Sequence, residues 1–168
     1  MTTMPSDVTD KELEAFGRFL KLLPHGKDSV LIVLKSHLLI EELLRRVIAE
    51  RVKRPEAIQS VSFECAHVLA LAEALCANEI EPWVWTTLGK INELRNKIAH
   101  HLEPPGLEKR MENIVFLVKK NSVFAHEGFG TRDKVAQFEY ALWVLYVNLI
   151  GLLVKPSAQI LKLVRASR

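Results

Sequence analysis

The sequence predicts an all-α helical bundle, and three observations carry that expectation. Hydrophobic residues make up 49% of the 168 residues and charged ones 26%, the balance of a chain with a core to bury rather than of a disordered one. Glycine and proline number only 7 each, which leaves little material for the frequent turns of an all-β protein. Apolar residues recur at helical spacing, and no period-two alternation survives for more than a few residues. The linkers between helices are short, so neighbours are expected to pack antiparallel. The expected architecture is about five or six helices in one domain over 1–168, with 1–8 as a flexible tail.

The elements follow in order. Thr9-Asp10-Lys11-Glu12 reads as a capping box, with threonine as N-cap and glutamate three residues on. The helix it opens carries Leu13, Phe16, Leu20 and Leu23 on one side and stops at the turn signal Pro24-His25-Gly26. Asp28 or Ser29 caps a long second helix, expected to run to Arg54 before Pro55 ends it. A third helix is expected from Ser62 to Ala77, with Leu69, Ala72 and Cys76 inward. Pro82 suits the first turn of a fourth helix reaching Leu102, before Pro104-Pro105-Gly106. A fifth spans Leu107 to Lys120. After a loop containing Gly128 and Gly130, Asp133 begins a last long helix that breaks at Pro156.

Bulk properties narrow the function. The formal charge is +3, from 23 basic and 20 acidic residues, which permits a polyanionic partner without demanding one. Cys65 and Cys76 fall in one expected helix; eleven residues at about 1.5 Å each put them roughly 16 Å apart, too far for a disulfide. Two free thiols suit a reducing compartment, and Met1 to Thr9 lacks the apolar core of a signal peptide, so a cytoplasmic location is expected. The apolar stretch from Phe138 to Val154 falls short of the about 20 residues a membrane span needs and includes Glu139 and Asn148. It is expected to be a core or interface helix, with no membrane partner.

Function is sought where local rules break. On the fourth helix Val84, Leu88, Ile91, Ile98 and Leu102 form a narrow apolar stripe, and Arg95 falls in its middle. A guanidinium keeps its charge, so it needs a carboxylate, a route to water or an anionic ligand. Asn96 and His100, four residues apart, share an adjoining face. A fixed cation, an amide and an imidazole, the side chain whose ordinary pKa lies nearest neutrality, suit a phosphodiester. The plain structural alternative is that Arg95 staples two helices through a glutamate. On the second helix His37 and Glu41 share a face with Val30, Leu34, Leu44 and Ile48; Glu41 is the first expected partner for Arg95 and Glu42 the second, unless Glu41 pairs with Arg45.

The segment Arg95-Asn96-Lys97-Ile98-Ala99-His100 resembles the signature of the HEPN superfamily: an arginine, a polar residue after it, and a histidine four to six positions on. The resemblance implies a helical bundle that forms a homodimer, with two such motifs facing each other across a cleft. It also implies a metal-independent endoribonuclease of toxin or defence type that uses the ribose 2′-hydroxyl and leaves a 2′,3′-cyclic phosphate. In that reading His100 assists proton transfer, Arg95 holds the phosphate and Asn96 orients both, with His37, Glu41 and Glu42 in support. RNA and an antitoxin or operon protein are the implied partners. In one toxin branch a tyrosine stands two positions after the histidine as the target of a partner nucleotidyltransferase. Here that position is Leu102, so control by that route is not expected.

Other signals are weaker. His100-His101 point about 100° apart on a helix, no further cysteine or histidine follows at ligand spacing, and His67 beside Cys65 is similarly bare, so neither a metal nor a cofactor is expected. No glycine-flanked nucleophile elbow or phosphate-cradling loop is present. Trp83, Trp85, Trp143 and Tyr146 read as core or interface rather than base-stacking platforms, and Lys109-Arg110 and Lys119-Lys120 as solvated faces. The rival to a ribonuclease is a non-catalytic dimerisation, protein-interaction or regulatory module in which Arg95 is a buried staple. A transcriptional regulator is disfavoured by the lack of a helix-turn-helix element.

Overall fold

The structure is a computed structural model and describes residues 10–26, 28–123, 129–130 and 133–153. These contain seven α-helices and no strand: α1 (Asp10–Leu22), α2 (Ser29–Arg51), α3 (Pro55–Gln59), α4 (Cys65–Cys76), α5 (Pro82–His100), α6 (Leu107–Asn121) and α7 (Lys134–Ile150). A 3-10 turn, Gly151–Leu153, extends α7. Helix α2 is central, packing on α1, α3, α4, α5 and α7. Helices α2, α5, α6 and α7 close a four-membered ring, because α5 packs on α6 and α6 on α7. Helix α4 rests on α2 and α5, while α1 covers α7 and α2.

The central place of α2 follows from its composition. Ile32, Val33, Leu39, Ile40, Leu43, Leu44, Val47 and Ile48 are all buried, a band too wide for one neighbour to cover. Asp28 starts it: its Oδ1 accepts a hydrogen bond from the Val30 amide at 2.8 Å. The helix ends at Arg51, three residues before the expected stop. Pro55 does not merely terminate it but opens the short α3 from a first-turn position. The third expected helix is correspondingly shorter, starting at Cys65 rather than Ser62.

In α1 the buried residues are Ala15 and Phe19, followed by Leu23 just past its end; Leu13 is 59% exposed and Leu20 is exposed as well. The inward face is thus rotated from the expected one. Phe19 stacks on Tyr146 of α7 with ring centroids 4.1 Å apart, and that stack fixes which face turns inward. Thr9, Gly128 and Pro156, and the end of the loop before Asp133, lie outside the described residues.

The apolar segment is longer than the expected stretch from Phe138: Lys134–Leu153 is long and apolar enough to cross a membrane by length and composition, and half of it is buried within this fold. Its inward residues include Phe138, Leu142, Leu145 and Leu149, all fully buried against the other helices. Trp85 is buried, Tyr146 lies in the stack with Phe19, and Trp143 stacks on Tyr140 and meets Phe16 edge-on. These aromatic rings line the core, as expected.

Candidate functional site

The C-terminal half of α5 is a seam between core and solvent. Ile91 and Leu94 are buried, Asn92, Arg95 and Ile98 are half-buried, and Glu93, Asn96, Lys97, Ala99 and His100 are exposed. The helix ends at His100. The His101 ring nitrogen Nδ1 lies 3.0 Å from the Lys97 carbonyl and donates to it, which occupies one of the carbonyls the helix end leaves unpaired. Leu102, expected within the apolar stripe, therefore stands beyond the helix with a relative exposure of 106%. Leu94, outside the expected stripe, is buried instead.

Arg95 Nη1 donates to Asn96 Oδ1 at 3.1 Å. No carboxylate of the described residues pairs with Arg95. Glu41, the first expected partner, accepts two hydrogen bonds from Arg45 on its own helix, at 3.0 and 2.6 Å through Oε1. Arg45 also donates to the Phe63 carbonyl at 2.7 Å, tying α2 to the segment before α4. Glu42, the second expected partner, pairs with Arg18 of α1 on a different, exposed face. The motif thus presents a half-buried guanidinium bonded to an amide, and one turn further an exposed imidazole. His100, Lys97 and His101 add basic groups at a helix end whose own dipole is negative.

Behind Arg95 lies a polar cluster among apolar residues. His37 of α2 is 3% exposed, and its Nε2 meets Asn92 Oδ1 of α5 at 3.1 Å. An amide oxygen only accepts, so Nε2 carries the proton and donates. The other ring nitrogen, Nδ1, is buried without a hydrogen-bond partner and lies 4.0 Å from Glu41 Oε2. Cys65, the first residue of α4, completes the cluster. Burial lowers the His37 pKa below its ordinary value; the Asn92 hydrogen bond and the Glu41 charge oppose that, and Arg95 adds to it. Burial also pushes the Cys65 thiol up to about 11, with Glu41 adding to the shift and Arg45 and Arg95 opposing it. Arg95 therefore acts electrostatically on both groups.

Of the residues singled out in the sequence, the fold joins Arg95 to Asn96 and brings His37 and Glu41 together beside Asn92, one turn from Arg95, while Glu42 stands apart. Asn92 was not singled out, and Cys65 was weighed as a metal ligand only beside His67 and set aside, whereas the fold groups it with His37 and Glu41. For Asn92 a signal existed: it precedes Arg95 by three residues and so shares its side of the helix. Cys65 arrives from another helix, and only the packing of α4 on α2 brings it in.

Two apolar hollows lie elsewhere. One between α6 and α7 is lined by Met111, Val115, Phe116 and Val135, and another, between α2 and the α3–α4 corner, by Ile48, Ile58, Phe63 and Val68. Neither contains the Arg95 cluster. Comparison with protein-family models, curated proteins and solved structures returns no match to this chain.

Proposed function

We propose that this chain is a cytoplasmic, homodimeric HEPN-type RNA-binding domain that cleaves RNA without a metal, in a toxin or defence role. The observation that carries the reading is Arg95: a permanent cation, half-buried on α5, bonded to Asn96 and paired with no carboxylate of the described residues. Such a group has charge to offer an anion, and a phosphodiester with its flat pair of oxygens matches a guanidinium well. The exposed His100 stands on the same end of the helix.

In this scheme Arg95 holds the phosphate and Asn96 keeps the guanidinium aimed. His100 takes the proton of the ribose 2′-hydroxyl as its oxygen bonds to phosphorus. The bond from phosphorus to the 5′-oxygen breaks, and the leaving oxygen receives a proton from the partner's His100 across the dimer cleft, leaving a 2′,3′-cyclic phosphate. The seam of His37, Asn92 and Glu41 supports α5 from behind. The rival role for Arg95, a buried staple, calls for a carboxylate beside it, and Glu41 and Glu42 are engaged by other arginines.

The test is cleavage of a mixed RNA pool in EDTA by the wild-type chain, His100→Ala and Arg95→Lys. Cyclic-phosphate ends from wild type, reduced at least about 100-fold in His100→Ala, are expected. Arg95→Lys keeps the charge but loses the planar fork and is expected to fall comparably. A folded, dimeric wild type that cleaves nothing favours the non-catalytic interaction module instead.

A further inference from the structure

The cluster behind Arg95 offers three donors of different chemistry at one point. His37 and Glu41 stand four residues apart on one face of α2, and Cys65 enters from the first position of α4. An imidazole nitrogen, a carboxylate oxygen and the Cys65 sulfur all lie within 4.8 Å of one another. A tetrahedral zinc ion, with bonds of about 2.0–2.3 Å, sets its ligand atoms roughly 3.3–3.8 Å apart. Small side-chain rotations therefore suffice to close the set around one ion.

The second observation is the orientation of His37. Its Nε2–H is committed to Asn92, so the neutral ring turns the bare lone pair of Nδ1 toward the Glu41 carboxylate, 4.0 Å away. No hydrogen-bond partner reaches that nitrogen, although the side chain is almost wholly buried. Two acceptors facing each other, one fully buried and one half-buried, call for a cation between them. A proton on Nδ1 is one answer. A metal ion is the other. The Asn92 carboxamide oxygen takes the place that a carboxylate, backbone carbonyl or water usually holds behind a metal-bound histidine, and it fixes both tautomer and ring angle. Glu41 divides its oxygens accordingly: Oε1 bonds Arg45, and Oε2 faces His37.

We propose that His37 Nδ1, Glu41 and Cys65 Sγ form a zinc site joining α2 to the start of α4, with a fourth position left to water. Nitrogen, oxygen and sulfur together suit a borderline metal of this kind better than calcium or magnesium, which favour all-oxygen sites. Carboxylate and thiolate balance the dication, while Arg45 and Arg95 remain as flanking cations. The metal displaces the thiol proton of Cys65 as the sulfur–metal bond forms. Occupancy pins the N-terminal end of α4, where Glu64 offers no side-chain cap. The inference is independent of the ribonuclease reading, which needs no metal.

The experiment titrates the full chain, stripped of metal and freed of chelator, with cobalt(II) and then zinc. One equivalent of cobalt is expected to give a thiolate-to-cobalt charge-transfer band, and zinc to displace it. Cys65→Ser is expected to abolish the band and Cys76→Ser to leave it intact. Glu41→Gln, which keeps the side-chain shape, is expected to weaken binding at least about tenfold, and Asn92→Ala about 10–100-fold. Absence of the band in folded wild type, its survival in Cys65→Ser, or unchanged affinity in Glu41→Gln overturns the site. The readout is spectroscopic, so RNA cleavage or its absence does not bear on it.

Discussion

Helix α7 and the seam between α2 and α5 both turn side chains into the core, yet they are built on opposite principles. Along α7 the inward side chains are Phe138, Leu142, Leu145 and Leu149, with Tyr146 stacked on Phe19. Each contributes area removed from water and fills volume, largely independently of which particular apolar atom lies opposite. In the seam, His37 and Asn92 are justified only by each other, and Nδ1 of His37 is left without a hydrogen-bond partner. The difference teaches where to look for function. A core of hydrocarbon explains itself, whereas a part-buried polar pair with an open valence beside a half-buried Arg95 does not.

Mutations sharpen the contrast. The largest loss is expected in α7: Leu145→Ala removes a fully buried side chain and leaves a void, costing about 2–5 kcal/mol in a denaturant melt. In the seam the cost depends on whether one partner goes or both. Asn92→Leu strands the Nε2–H of His37 and is expected to cost about 1–3 kcal/mol. His37→Leu combined with Asn92→Leu removes donor and acceptor together and should recover most of that loss. Additive losses in the double variant would mean that the pair is not a coupled unit.

Much of this layout was legible in the sequence, and the failures have definite causes. Val84, Leu88 and Ile91 are buried as the wheel of α5 required, and Asp28 and Asp133 cap their helices through the Val30 and Ala136 amides. Leu102 failed because a wheel assigns a direction to residues that no longer belong to the helix. Leu13 and Leu20 failed because α1 offers two apolar sides, and the stack on Tyr146, a partner more than a hundred positions away, selects between them. Helix α3 was missed because Pro55 both stops one helix and starts another. The motif Arg95-Asn96-His100 was visible as a string of residues. Its environment was legible only in part: the Glu41–Arg45 pair is an i,i+4 contact that the sequence offered as the alternative, whereas Arg18 engages Glu42 and Cys65 enters from α4, and those two facts are set by packing.

A smaller effect separates local from long-range contributions. Asp28→Ala removes the cap of α2 and is expected to cost about 1 kcal/mol, through the unpaired Val30 amide. Since α2 carries both His37 and Glu41, a cap loss that left the pH response unchanged would show that fraying at Ser29 does not reach the seam.

That pH response is the finest probe of the comparison, because the inward face of α7 holds no histidine and burial pushes its Tyr146 hydroxyl up to about 12. For His37 burial lowers the folded pKa below the unfolded one, against the opposing pull of Asn92 and Glu41. Below the ordinary histidine value, about 6.5, the unfolded chain takes up a proton that the folded chain refuses. His37 therefore favours folding above that pH, and its contribution is lost as pH falls toward the lower folded pKa. Denaturant midpoints of metal-free wild type are expected to drop between about pH 7.5 and pH 5.5. The drop should be smaller in the His37→Leu, Asn92→Leu double variant, which retains every other histidine of the chain. Equal drops in the two proteins would assign the proton to another group and leave His37 indifferent to its burial.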